Sequence, residues 1–295
     1  MKKKVLFIVN PKSGKGSIRN KLLDIVDIFI KADFDLTLYI SQSAGDARVK
    51  AKEVEGKYEL IICSGGDGTL DEVISGVMEC EHRSAIGYIP CGSTNDFAHS
   101  LKIPTSMTKA AEHIAAWNEF PCDIGRFNDD YFVYIAAFGL FTDVSYETSQ
   151  DVKNVLGHLA YILEGIKKLT DIKTYPMRVD SEEMTVEGDF IFGMVTNSTS
   201  VGGFRNITGK HVHLDDGVFE VTLIKTPQNI LELNEIMQAV LAGKSDNNKY
   251  FYQFRSRAVK FISETPVAWT QDGEFGGYHE VVDVKNDRQA LRLLV

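Results

Sequence analysis

The chain has 295 residues, 44% of them hydrophobic and 25% charged, with a formal net charge of −9. That length accommodates two modest domains or one large one, and the ordinary apolar fraction excludes a mainly disordered chain. The acidic balance argues against general nucleic-acid binding, and Cys63, Cys80, Cys91 and Cys122 form no C-x-x-C pair, so they suit buried thiols in a reducing cytosol.

Residues 1–21 carry seven basic side chains (Lys2, Lys3, Lys4, Lys12, Lys15, Arg19 and Lys21) and no acidic one. Such a cluster can meet the phosphates of a nucleotide or of an anionic membrane, or it can be a solvated face. The apolar run at residues 5–9 is shorter than the core of a signal peptide and has no small-residue cleavage site after it. It predicts a first buried strand and an intracellular protein. The longest apolar stretch, residues 131–141, falls far short of the roughly 20 residues a spanning helix needs.

After the first strand, Ser17 can cap a helix running to about Lys31, with Leu22, Val26, Phe29 and Ile30 at helical spacing. Strands follow at 35–40, 58–63 and 85–89, and helices at 43–55 and 69–79. This alternation predicts a doubly wound α/β domain with a parallel sheet over residues 1–122. Ligands in such sheets sit beyond the carboxyl ends of the strands. Three glycine-bearing polar loops, 10–16, 64–69 and 90–96, fall at those ends.

Past Cys122 the texture changes. Residues 122–139 read as two strands joined at Asn128-Asp129-Asp130, and 156–169 as an amphipathic helix with Leu156, Leu159, Leu163 and Ile166 on one face. With Lys153, Lys167 and Lys168 near its ends, that helix suits either a bilayer surface or core packing. Residues 175–262 are rich in short strands and turns, with a helical interruption near 229–241. The expectation is a mainly antiparallel β domain over 123–282, with residues 283–295 returning to either domain.

Glycine-rich loops between a strand and a helix bind phosphate because the backbone can approach the anion and the first helical amides point at it. Gly65, Gly66 and Gly68 meet the first condition, and a helix from Thr69 the second. Asp67 would repel a phosphate, so it reads as a ligand of nucleotide-bound Mg²⁺, a proton acceptor, or a helix cap. Asn10-Pro11-Lys12-Ser13-Gly14 lacks P-loop spacing but offers amides, a hydroxyl and a lysine. Ser93, Thr94 and Asn95 add hydroxyls and a carboxamide after the fourth strand. Asp272-Gly273-Glu274 is either a hairpin turn or a base with its neighbour. No G-x-S-x-G elbow is present, and His82, His99, His113, His158, His211 and His279 share no spacing.

Together these motifs resemble the bacterial soluble diacylglycerol/lipid kinase family. The resemblance is carried by Asn-Pro-Lys-Ser-Gly at 10–14, Gly-Gly-Asp-Gly-Thr-Leu-Asp-Glu at 65–72 and Gly-Ser-Thr-Asn-Asp-Phe-Ala at 92–98. It continues through Cys122-Asp123-Ile124-Gly125, Ala136-Ala137-Phe138-Gly139, Leu214-Asp215-Asp216-Gly217-Val218 and Gln271-Asp272-Gly273-Glu274-Phe275. Val144-Ser145-Tyr146-Glu147-Thr148 is similar to the Gram-positive diacylglycerol kinases in particular. The match spans nearly the whole chain in the family's order.

The resemblance implies an N-terminal nucleotide domain and a C-terminal β-sandwich, with the active site between them. ATP would contact Asn10, Pro11, Lys12, Ser13, Gly14, Ser41, Gly65, Gly66, Asp67, Gly68, Thr69, Leu70, Asp71, Glu72, Ser93, Thr94 and Asn95. Ser41 stands where the family usually has Thr and keeps the hydroxyl; Asp71 stands where Asn is common and adds a negative charge beside the phosphates. Glu274 is implied as the base, with Asp272 the contender and Asp67 also in the catalytic set. Asp216, with the main-chain oxygens of His213 and Val218, would hold a structural Mg²⁺, and Asp123 would lie in a network linking that metal to the active site. The implied reaction is transfer of the γ-phosphate of MgATP to a lipid hydroxyl, with diacylglycerol ahead of ceramide, sphingosine, undecaprenol or phosphatidylglycerol. Peripheral association of a cytoplasmic protein with an anionic bilayer follows, and the oligomeric state stays open, a homodimer included. An NAD kinase and an inactive lipid-binding regulator are the alternatives from outside this class.

Overall fold

The computed structural model describes residues 2–93, 95–140, 172–201, 204–205, 212–242 and 248–295. The helix expected at 156–169, the motif at 144–148, Thr94, His158 and His211 lie outside the described residues. The chain divides into two compact units, Met1–Ile124 with Arg288–Val295, and Gly125–Asp287. The sequence texture changes at nearly the same place, two residues earlier.

In the first unit the largely buried strand β1 (Lys3–Val9) pairs in parallel with β2 (Phe34–Ile40) and β3 (Leu60–Gly65), and β3 pairs with β4 (Ala85–Pro90). The order is therefore β2-β1-β3-β4, and the last residues of β15 (Glu274–Leu294) extend it by pairing Leu293 and Leu294 with Ile86 and Gly87. Right-handed crossovers place α1 (Leu22–Lys31) on one face and α2 (Asp46–Glu53) and α3 (Asp67–Met78) on the other. The short α4 (Asp96–Ser100) follows β4, and α5 (Met107–Ala116) packs beside α1. Phe7, Phe29 and Phe34 form an aromatic run under α1, with centroids 5.7–5.8 Å apart. The direction of strand order reverses between β1 and β3, which is where doubly wound sheets open a ligand crevice.

Two boundaries differ from expectation. Residues 13–20 wind as 3₁₀ turns ahead of α1, where a single helix was expected from Ser17; Lys21, at φ −121° and ψ −5°, lies outside helical geometry and separates the two. Strand β3 continues through Ser64-Gly65 because those residues pair with Ile89 and Pro90, and Asp67 already belongs to α3.

The second unit is antiparallel. From one edge the order is β13 (Phe251–Ser256), β12 (Phe219–Lys225), β9 (Thr185–Thr196), then β7 (Ile135–Gly139) and β8 (Tyr175–Ser181) end to end, then β14 (Ala258–Gln271) and the first part of β15. The stretch read as two strands holds three, β5 (Glu119–Phe127), β6 (Asp130–Phe132) and β7, because Val133-Tyr134 breaks the second. The strands β10 (Ser200–Val201) and β11 (Phe204–Arg205) form a small ribbon, and α6 (Ile230–Ala242) follows β12. Trp269 anchors the core against Phe127, Phe138 and Phe261 at 4.9–5.3 Å. Aromatic pairs of this kind add about 0.5–1.5 kcal/mol each beyond the area they bury.

Candidate functional site

The three strand-end loops of the first unit interlock. Asn10, just past β1, donates its carboxamide to Thr69 Oγ1 at 2.9 Å and accepts the Lys12 amide at 3.0 Å. Its own amide donates to the Ser64 carbonyl at 2.9 Å. The loops after β1 and β4 meet where a Cβ on Gly14 would lie 1.8 Å from the Cys91 carbonyl oxygen. Likewise a Cβ on Gly92 would lie 2.7 Å from Gly66 Cα, so the second and third loops touch backbone to backbone. No side chain fits at either contact.

Asn95 fixes the third loop. Buried, with φ +52°, it accepts the Gly92 amide and donates to the Gly92 carbonyl, both at 2.9 Å, and the Tyr88 hydroxyl donates to its Oδ1 at 3.2 Å. Burial holds the Tyr88 phenol well above its usual pKa, so this hydroxyl stays a donor. Asp67 opens α3 and accepts the Asp96 amide at 3.2 Å, tying the second loop to the third. Ser41 is buried beside the end of β1, its amide on the Val9 carbonyl at 3.0 Å.

What results is a backbone cradle of glycines at the positive end of α3, the arrangement an oligophosphate requires. Ser13, Gly66, Gly68 and the exposed Ser93 line the same strand ends, with Leu70 buried beneath them in α3 and Asp71 half-buried on its next turn. Glu72 has a further role. Its carboxylate accepts the amides of Gly45 and Ala47, at 2.8 and 3.2 Å, and so caps α2. Tyr88 escapes sequence reading because a buried strand residue carries no motif; only the glycine-asparagine spacing at 92–95 hints at the clamp.

The basic cluster of residues 1–21 is split by β1, whose seven residues span about 23 Å. At its amino end Lys2 pairs with Asp33 at 3.3 Å and Lys3 lies over the Trp117 ring at 3.3 Å. Lys12, Arg19 and Lys21 follow the carboxyl end, where the cradle lies. Asp123, fully buried, accepts the Gln289 amide at 2.7 Å and so pins the returning segment of β15 within the same unit.

In the second unit Asp272 and Glu274 differ sharply. Asp272 is 4% exposed at φ +49°, and its carboxylate accepts the amides of Val133 (2.5 Å), Tyr134 and Ile135 (both 2.9 Å). It is the anchor that holds the turn after β14. Glu274, two residues on, is exposed.

At the metal position implied for Asp216, the carboxylate accepts the Val218 amide at 3.2 Å and forms an ion pair with Arg255, which also donates to Glu220 at 3.2 Å. Burial pushes Glu220 up to about 8, with the Asp216 charge adding to the rise and Arg255 opposing it. Among the described residues no group of three or more His, Cys, Asp or Glu side chains is set to hold a metal ion. With both Asp216 oxygens engaged by donors, these residues do not fit a divalent cation as they stand.

A doubly wound domain with interlocked glycine loops at its strand ends, continued by an antiparallel β unit, suits a nucleotide-dependent phosphotransferase. Comparison with known proteins narrows the class. The diacylglycerol kinase catalytic domain matches residues 4–127, and the YegS C-terminal NAD kinase beta sandwich-like domain matches residues 137–295. Diacylglycerol kinases of Staphylococcus carnosus and Staphylococcus saprophyticus are 33% and 32% identical, each over 94% of this chain and 90% of their own length. A Bacillus anthracis crystal structure provisionally assigned as a diacylglycerol kinase superposes with a TM-score of 0.85 at 26% identity, covering 99% of this chain and 96% of that one. The chain belongs to the diacylglycerol kinase family, whose members are ATP-dependent lipid kinases. No helix among the described residues is long and apolar enough to cross a membrane.

Proposed function

We propose that this chain transfers the γ-phosphate of MgATP to the free hydroxyl of diacylglycerol, giving phosphatidate. The observation that supports it most is the backbone-to-backbone contact of the loops bearing Gly14, Gly66 and Gly92 at the start of α3, which leaves room for no side chain and keeps main-chain groups at the positive end of that helix. In the step itself the lipid hydroxyl oxygen forms a bond to the γ-phosphorus as the bond to the bridging oxygen of ADP breaks. The hydroxyl proton passes to Glu274, the exposed member of the Asp272-Gly273-Glu274 turn. Asp272 serves as a positioning residue, since its oxygens already take three amide protons. Magnesium enters as part of the nucleotide substrate, and catalysis rests on positioning and charge neutralisation.

The acceptor resides in a bilayer, so the protein docks peripherally on an anionic surface, with Lys12, Arg19 and Lys21 at the cradle end contributing attraction that salt screens. The test offers radiolabelled ATP with diacylglycerol in anionic vesicles and, in parallel, with NAD, at low and high salt. Label in phosphatidate, falling steeply as salt rises, is the expected result. Label in NAD phosphate overturns the acceptor, and salt-independent turnover overturns the docking.

A further inference from the structure

We propose that Arg255 takes the place of a divalent cation at the 214–218 turn, so that a built-in guanidinium stabilises this turn where the family resemblance implies a bound metal. The implied ion would need the Asp216 carboxylate together with the main-chain oxygens of His213 and Val218. Instead, Asp216 Oδ2 is paired with Arg255 Nη2, and Asp216 Oδ1 is occupied by the Val218 amide at 3.2 Å.

Arg255 is held there by the sheet. It lies on β13 directly opposite Glu220 of β12 in the antiparallel register, and its Nε donates to Glu220 Oε1 at 3.2 Å. One planar fork thus bridges the two acidic side chains through different nitrogens, a task that suits arginine. Gly217, at φ +85°, turns the chain so that Asp216 faces the strand pair. A cation placed on Asp216 would stand beside a fixed positive charge, and Mg²⁺ also demands a near-octahedral shell of oxygens. The remaining buried acceptor, Glu220 Oε2, has no hydrogen-bond partner among the described residues, but one oxygen does not make that shell.

The test needs neither nucleotide nor lipid, so its outcome is independent of the acceptor assignment. Protein stripped with chelator is melted with and without millimolar Mg²⁺, as wild type, Arg255→Met, and Arg255→Met with Asp216→Asn. The wild-type Tm is expected to be the same in both buffers. Arg255→Met should melt several degrees lower in chelator and recover with Mg²⁺, and the double variant should not recover. A wild-type Tm that rises with Mg²⁺, with the rise lost in Asp216→Asn, overturns the proposal. Should Arg255→Met fail to fold, Mn²⁺ titration of the wild type by paramagnetic resonance decides. No stoichiometric ion supports the built-in cation, and one ion that Asp216→Asn abolishes overturns it.

Discussion

Asp272 and Glu274 are two residues apart and chemically alike, yet the fold assigns them different work. A carboxylate that accepts three backbone amides fixes a turn, and exchanging it for an amide puts an N–H donor against N–H donors. Asp272→Asn should therefore lower stability by about 1–3 kcal/mol, the penalty for an unmatched buried polar group. Glu274→Gln, on an exposed side chain, should leave the melting curve in place while turnover falls by about 10²–10⁴-fold, the usual worth of a general base. Thermal melts and kinase rates on the two variants check this. Equal turnover in Glu274→Gln and wild type contradicts the assignment. Glu220 makes a pH prediction. Its carboxyl lies at about 8 in the folded chain against an ordinary value of 4.5 when solvated, so the folded state binds the proton more tightly. Its stability contribution is fully present below 4.5 and is lost as pH rises through about 8. Glu220→Gln should thus gain on wild type progressively across that window in Tm against pH. Parallel curves would contradict the buried neutral acid.

At the scale of elements, α2 begins at a glycine with no side-chain cap of its own, and Glu72 reaches from α3 to supply one. Glu72→Ala should cost about 1 kcal/mol in denaturant unfolding, as lost N-caps do; an unchanged midpoint would show that the cap is worth nothing. The strand-helix alternation and the three loops at strand ends were legible in the sequence because apolar runs and glycine punctuation are local signals. The ends of the elements were less so. Ser64-Gly65 reads as loop by composition, and only its pairing with β4 makes it strand. The Asp272 anchor was hidden for a related reason: its partners, Val133 to Ile135, are more than 130 residues away in the chain. Sequence spacing within Asp272-Gly273-Glu274 could show that two carboxylates were present, and only long-range packing separated the anchor from the exposed acid. Arg255, opposite Glu220, carried no motif and was likewise missed.

Across the whole molecule, the chain passes from one unit to the other after Ile124 and back after Asp287. The return segment is integral to the first unit, since Leu293 and Leu294 pair with β4 and Gln289 is tied to Asp123. The proposed nucleotide site therefore lies in a unit assembled from both ends of the sequence, and it centres on the backbone contact between Gly66 and Gly92. The most direct test is calorimetric titration of MgATP into wild-type protein and Gly92→Ala, with melting curves as the control for folding. The added Cβ would lie 2.7 Å from Gly66 Cα and must force the two loops apart. The account predicts ATP affinity at least about tenfold weaker, some 1.4 kcal/mol, in a variant that still folds. Equal affinity in a folded Gly92→Ala would contradict the cradle as the nucleotide site.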